Sequence, residues 1–245
     1  MSDIIDTSLD IEVHPPKLYA EYTSTILRAP SKPMILLNAP SKPMILLKKS
    51  LTERTGPLFQ DFNLGALDHD LTKNSIKNGE PLGERIVVHG TVRNEKGEPI
   101  PNTILEIWQA NAAGRYVHKV DQHEAPLDPN FLGTGRCMTD AQGNYKFYTI
   151  KPGAYPWGNH HNAWRPNHIH FSLFGNQIVS RLVTQMYFPG DPLLEYDPIY
   201  KAVKAKGREL LISKFDLGIT EPNFALGYRF DIVLKGNQAT PFENS

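Results

Sequence analysis

Arg85-Ile-Val-Val-His89, Asn94-Glu-Lys-Gly97 and Ile104-Leu-Glu-Ile-Trp-Gln109 follow one another as a short apolar strand, a turn and an alternating strand. The same punctuation returns at Asp140-Ala-Gln-Gly143, which leads into Tyr145-Lys-Phe-Tyr-Thr-Ile150. Further strands are expected at Ile169–Leu173, Leu182–Phe188 and Tyr228–Leu234. Short strands set between turn clusters at this spacing specify a sandwich or barrel, and we read an all-β sandwich. One short helix is expected near Lys204–Phe215, where Leu211 and Phe215 stand four apart.

Before this region the chain reads differently. Residues 1–80, rich in Pro, Lys and Ser, form an expected arm that lies on another surface, and 81–245 form the β-sandwich domain. Within the arm, Ala29-Pro-Ser-Lys-Pro-Met-Ile-Leu-Leu37 recurs as Ala39 to Leu47, a ten-residue tandem duplication spanning 29–48. Prolines at 30, 33, 40 and 43 exclude a continuous helix there. Repeat architectures need several degenerate units, so two perfect copies read as a tolerated insertion.

Bulk composition narrows the function classes. Lys+Arg and Asp+Glu both total 26, and the zero net charge gives no support to nucleic-acid or anionic-membrane binding. It also leaves little repulsion against self-association, so an oligomer is expected. A single cysteine, Cys137, cannot form an internal disulfide, which fits a reducing compartment. The acidic N-terminal residues resemble no signal peptide, and the expected location is the cytoplasm.

The strongest chemical signal lies in Trp164-Arg-Pro-Asn-His-Ile-His-Phe-Ser-Leu173. On a strand His168 and His170 share one face, while Ile169, Phe171 and Leu173 face the core. A histidine pair starts many metal sites but leaves zinc, copper and iron open. Two tyrosines narrow the choice. Tyr155 lies in Lys151-Pro-Gly-Ala-Tyr-Pro-Trp157, and Tyr116 in Asn111-Ala-Ala-Gly-Arg-Tyr116. His160 and His161, in a Gly-Asn-His-His-Asn loop, read as solvent-exposed.

Ile107-Trp-Gln-Ala-Asn111, Gly114-Arg-Tyr116, Pro152-Gly-Ala-Tyr-Pro-Trp157 and Arg165-Pro-Asn-His-Ile-His170 resemble the intradiol ring-cleavage dioxygenases. The similarity covers nearly the whole chain and is dense from Gly83 to Pro192; the duplicated stretch departs from it. It implies a transthyretin-like mixed β-sandwich and one non-haem Fe(III) per chain, bound by Tyr116, Tyr155, His168 and His170. It also implies that Tyr155 dissociates on substrate binding while Tyr116 stays. Trp157, Arg165, Gln185, Tyr187 and Ile199 are implied around the aromatic substrate, and Trp108 behind Tyr116. The implied reaction opens 3,4-dihydroxybenzoate with O2 between its two hydroxyl-bearing carbons. The implied partner is a homologous α subunit that shares the active site in a higher-order αβ oligomer.

Elementary chemistry fits this ligand set. Two phenolates and a hydroxide balance the three charges of a ferric ion, so the cluster tolerates an apolar pocket. A bound metal makes an otherwise weak acid such as a phenol deprotonate. Two alternatives carry weight. Gly90-Thr-Val-Arg-Asn-Glu-Lys-Gly-Glu-Pro99 with Thr139-Asp-Ala-Gln-Gly-Asn-Tyr145 also resembles metal-free transthyretin-like binding modules. A homodimeric catechol or hydroxyquinol dioxygenase is the other, although such relatives carry a helical N-terminal segment unlike this proline-rich arm.

Overall fold

The computed structural model describes Val13, Pro15 and residues 64–158, 164–175, 182–234 and 238–243. The duplication at 29–48 and the His160-His161 pair lie outside these residues.

Apolar alternation folds as expected into two sheets. In the first, β1 (Arg85–Arg93) is central. It pairs antiparallel with β4 (Asn144–Ile150) on one side. On the other side it pairs parallel with β10 (Leu226–Arg229) and β11 (Ile232–Val233) in succession. The short β9 (Lys214–Phe215) extends this sheet beyond β10. The second sheet is antiparallel, in the order β3 (Thr134–Met138), β2 (Ile104–Trp108), β7 (His168–Phe174) and β8 (Leu182–Tyr187). A two-stranded ribbon joins β5 (Tyr155–Pro156) to β6 (Trp164–Arg165). The all-β expectation holds, with a mixed first sheet.

The inner faces meet in one core. Ile86, Val88, Phe147 and Ile232 come from the first sheet; Leu105, Ile107, Ile169, Phe171, Leu173 and Met186 come from the second. The outer face of the second sheet is the unusual one. Such a face is normally solvated and polar, yet all seven residues of β7 are buried. His168, His170 and Ser172 point outward beneath connecting loops, beside Gln185 and Tyr187 of β8. Polar residues buried under loops on a rigid sheet are the usual ground for a functional site.

The expected helix over 204–215 is shorter than its spacing suggested. Two brief helices, α1 (Pro198–Ala202) and α2 (Ala205–Arg208), precede a 3-10 turn at Glu209–Leu211, and the chain then turns extended. Ser213 donates to the Tyr187 carbonyl through both its N–H and its hydroxyl, each at 2.9 Å. Those bonds recruit the segment to the sheet edge. Leu211 packs with Leu194, Tyr200 and Val203, whereas Phe215 is exposed, so the two never share a helical face. The expected strand at 228–234 breaks into β10 and β11 at Phe230-Asp231. Among the described residues no helix is long and apolar enough to cross a membrane.

Candidate metal centre

Strand register sets the two histidines. His170 lies opposite Trp108 of β2 and Gln185 of β8, and His168 lies opposite Tyr187. Trp108, expected behind Tyr116, stacks instead on His170, with centroids 4.8 Å apart and planes within 6°. The His170 and Trp108 side chains stand on one face of adjacent strands, and that places ring over ring.

Each histidine is oriented from behind. Nδ1 of His168 lies 2.6 Å from the Pro166 carbonyl oxygen, and Nδ1 of His170 lies 3.0 Å from a Glu243 carboxylate oxygen. Both acceptors need a proton on Nδ1, which leaves both Nε2 lone pairs facing the site. The two Nε2 atoms are 3.2 Å apart. Lone pairs at that distance repel unless a proton or a cation lies between them. Burial, with Arg165 and His170 adding to it, holds His168 well below the ordinary histidine pKa, hence neutral. Two nitrogens each about 2.1 Å from one ion stand about 3.0–3.4 Å apart at right to tetrahedral angles, so the pair fits a shared metal.

The two tyrosine loops are docked on each other by glycines. Gly114, at φ +79°, backs onto the Ala154 carbonyl, and Gly153 onto the Ala112 carbonyl; a Cβ at either would run into that backbone. Gly153 N–H donates to the Asn111 carbonyl at 2.9 Å. Asn111 braces the first loop, its side-chain oxygen accepting from Ala113 and Arg115 N–H at 3.0 and 2.9 Å. Asp121 accepts from the Tyr116 N–H at 2.8 Å. On the second loop, β5–β6 pairing sets Tyr155 opposite Arg165.

As a result the two phenols stand edge to face, centroids 5.4 Å apart, with Tyr155 5.6 Å from His168 and Tyr116 6.4 Å from His170. Among the described residues the fully buried Tyr116 hydroxyl has no hydrogen-bond partner of sound geometry beyond its contact with the Tyr155 hydroxyl. Burial first, and the neighbouring Tyr155 second, push its pKa well above that of a free phenol. Burial likewise raises Tyr155, although Arg165 opposes it. Two buried phenols facing two imidazole lone pairs are a costly arrangement that a bound cation would relieve. Among the described residues no group of three His, Cys, Asp or Glu could hold a metal, so any ion here depends on the tyrosines.

Behind this cluster sits Arg165, buried like its partner Asp197, with Nε 3.1 Å from a carboxylate oxygen. One of its terminal nitrogens reaches Gln185 at 2.5 Å, Tyr187 at 3.2 Å and Asp197 at 3.1 Å. The guanidinium carbon lies 5.4 Å from the Trp157 ring. Gln185 and Tyr187 are therefore buried supports of Arg165 rather than solvated polar residues.

A cavity of about 1060 Å³ opens in front of the cluster, walled by Trp108, Tyr116, Tyr155, Trp157, Trp164 and His170. Gln185, Tyr187 and Ile199 are not on its wall; they line a separate narrow crevice behind the histidines. Three bracing carboxylates lie outside the sequence reading, Asp121 behind the Tyr116 N–H being the first. Asp197 carries the signal of an N-cap before a proline, and its side chain does accept from Ile199 N–H at 3.3 Å. Glu243 lies in a C-terminal stretch without periodicity, and nothing in the sequence marks it.

Comparison with known proteins agrees with this geometry. A family model described as "Dioxygenase" matches residues 54–236, and one described as "Protocatechuate 3,4-dioxygenase beta subunit N terminal" matches residues 10–41. The protocatechuate 3,4-dioxygenase beta chain of Burkholderia cepacia is 62% identical over 242 residues, 99% of each chain. The protocatechuate 3,4-dioxygenase alpha chain of Pseudomonas putida is 31% identical over 69% of this chain and 80% of its own. Among solved structures, 3-chlorocatechol 1,2-dioxygenase from Rhodococcus opacus 1CP shares the fold, with a TM-score of 0.54 at 23% identity, over 69% of this chain and 65% of its own. The chain belongs to the intradiol ring-cleavage dioxygenase family.

Proposed function

We propose that the chain is the iron-carrying β subunit of a protocatechuate 3,4-dioxygenase. It would cleave 3,4-dihydroxybenzoate with O2 between the hydroxyl-bearing carbons to give 3-carboxy-cis,cis-muconate. The observation that carries this reading is the convergence of the paired Nε2 atoms with the buried Tyr116 hydroxyl and the Tyr155 phenol beside it. Full-length similarity to the Burkholderia cepacia beta chain supports the substrate.

In this reading Tyr116, Tyr155, His168 and His170 hold one Fe(III). When bound, the metal supplies Lewis acidity and accepts electron density from a chelated catecholate. The protein's own groups do the rest. A catechol would give up two protons on becoming a dianion: the Tyr155 oxygen would accept one, becoming a neutral phenol, and a solvent-derived hydroxide would accept the other, becoming water. The position of Tyr155 on the cavity wall gives it room to swing away. Trp157, on the same wall, offers a flat apolar surface to the substrate ring. Arg165, held by Asp197, keeps a fixed positive charge behind Trp157 where negative charge develops.

An α-type partner would close the cavity, whose rim exposes Val117, Val120, Leu132 and Trp164. Of the expected arm, residues 64–80 pack on this chain's own sandwich, with Leu71 in the core and Asp70 bridged to Tyr148, so only the residues before them would lie on that partner; the assembly would reside in the cytoplasm. Oxygen uptake with 3,4-dihydroxybenzoate and with catechol, with product identification, tests the function. Stoichiometric iron, a visible phenolate-to-iron charge-transfer band and preference for the carboxylated substrate are expected. A colourless, iron-free protein defeats the metal reading; uptake with catechol alone defeats the substrate.

A further inference from the structure

Glu243 plays no part in the site as read from the sequence, yet it makes the contact that fixes His170. Its segment is clamped to both sheets. Thr240 N–H donates to the Val233 carbonyl at 2.8 Å, and Val233 N–H to the Thr240 hydroxyl at 3.0 Å. On the other side the Thr184 hydroxyl donates to the Pro241 carbonyl at 2.6 Å, and Glu243 N–H to the Val183 carbonyl at 2.7 Å. Ala239 and Thr240 are fully or almost fully buried. This tail is therefore built into the sandwich, and it delivers one carboxylate to the outer face beside Gln185.

That carboxylate is placed where an isolated anion is expensive. Its side chain is 11% exposed and that of His170 10%, with Glu243 Oε2 3.0 Å from His170 Nδ1. Among the described residues no Lys or Arg comes within ion-pair distance of it. A buried carboxylate held to Nδ1 of a proposed ligand, on the side of the ring away from Nε2, stands where the outer partner of a metal-bound histidine sits.

With the iron reading above as its basis, we infer that Glu243 is a positioning residue for the metal centre. It locks the Nδ1–H tautomer of His170 and places a negative charge behind the ligand, which makes Nε2 a stronger donor. Trp108 fixes the plane of the same ring from its face and Glu243 fixes its rotation from its edge. The two constraints come from different parts of the chain, so the ligand is complete only after the C-terminal segment has docked.

The test uses the full chain, Glu243→Gln and Glu243→Ala. The readouts are iron content, the rate of iron loss to an excess chelator, the charge-transfer band without substrate, and the melting temperature of the metal-free protein. Glu243→Ala should weaken iron retention roughly 10–100-fold. Glu243→Gln, whose amide oxygen still accepts from Nδ1–H without charge, should retain more iron and shift the band. Metal-free melting should match the parent for both. Parental iron release and an unmoved band in both variants would overturn the inference. So would iron loss that merely tracks a fall in metal-free stability. A parent protein that takes up no iron removes the reading beneath it, and is told apart because the parent then fails as well.

Discussion

Tyr116 and Tyr155 are the same residue type held in different ways, and the difference predicts how each substitution behaves. Tyr116 has its backbone pinned by Asp121 and its hydroxyl sealed from solvent. Tyr155 lines the same cavity but sits on a strand of only two residues, with a less firmly held backbone. Tyr155→Phe should keep most of the iron but lose a proton acceptor, lowering kcat/KM for the catechol about 10²- to 10⁴-fold. Tyr116→Phe should lose the iron itself. Iron content and the catechol-induced spectral change separate the two, and equal effects would refute the division of labour. Arg165 offers a stability test. It is 3% exposed and Asp197 0%, so Arg165→Ala strands a buried carboxylate, at a cost of about 3–5 kcal/mol in denaturant unfolding. Cys137 marks the opposite case, a buried group with no chemistry. Burial pushes its thiol up to about 12. An unfolded thiol titrates near 8.5, so its contribution to stability is intact below that pH and is lost as pH rises toward the folded value. At pH 8 the folded protein should resist thiol reagents, and labelling should appear only with unfolding.

At the level of elements, the site depends on two loops that touch backbone to backbone. Gly114 is left-handed and abuts the Ala154 carbonyl, so Gly114→Ala combines strain with a clash. Strain of this kind costs roughly 1–3 kcal/mol. Because relief requires the loops to part, iron content should fall along with melting temperature. A variant that melts lower yet keeps parental iron would show that the loops tolerate separation. The same elements show what the sequence could express. Strand alternation is readable because one face of β2 and β7 must enter the core, and it puts His168 and His170 on a shared outer face. Tyr116 and Tyr155 were readable only as members of a familiar motif, because their meeting depends on Gly114 and Gly153 contacts across 39 residues of chain. The Leu211–Phe215 spacing misled because Ser213 bonds to Tyr187, a tertiary preference that outweighs local periodicity. Glu243 was invisible, since an acidic residue in an aperiodic stretch reads as solvated until its partner 73 residues away is placed.

For the whole molecule, the question is which properties one chain carries alone. The two family matches leave residues 42–53 uncovered, and most of the second duplicated copy falls in that gap. Lengthening a loop costs only about 0.6 kcal/mol per doubling. Deleting 39–48 should therefore leave iron content unchanged and shift melting by no more than a degree or two; loss of iron would give the duplication a role. All four proposed donors, and the Glu243, Asp121 and Asp197 carboxylates that brace the site, belong to this chain. Iron uptake should accordingly be independent of any partner. Turnover should not be. The cavity of about 1060 Å³ is open and far exceeds a single catechol ring, and no described wall residue is an arginine or lysine able to anchor a substrate carboxylate. A loosely held substrate loses the advantage of position, where a 1 Å error already costs about 10²-fold. The purified chain should thus be coloured and iron-replete yet turn over 3,4-dihydroxybenzoate about 100-fold more slowly than the same chain joined to an α-type partner. Steady-state oxygen uptake across a titration of that partner measures the difference. Full activity without it would mean that this chain's own arm closes the cavity.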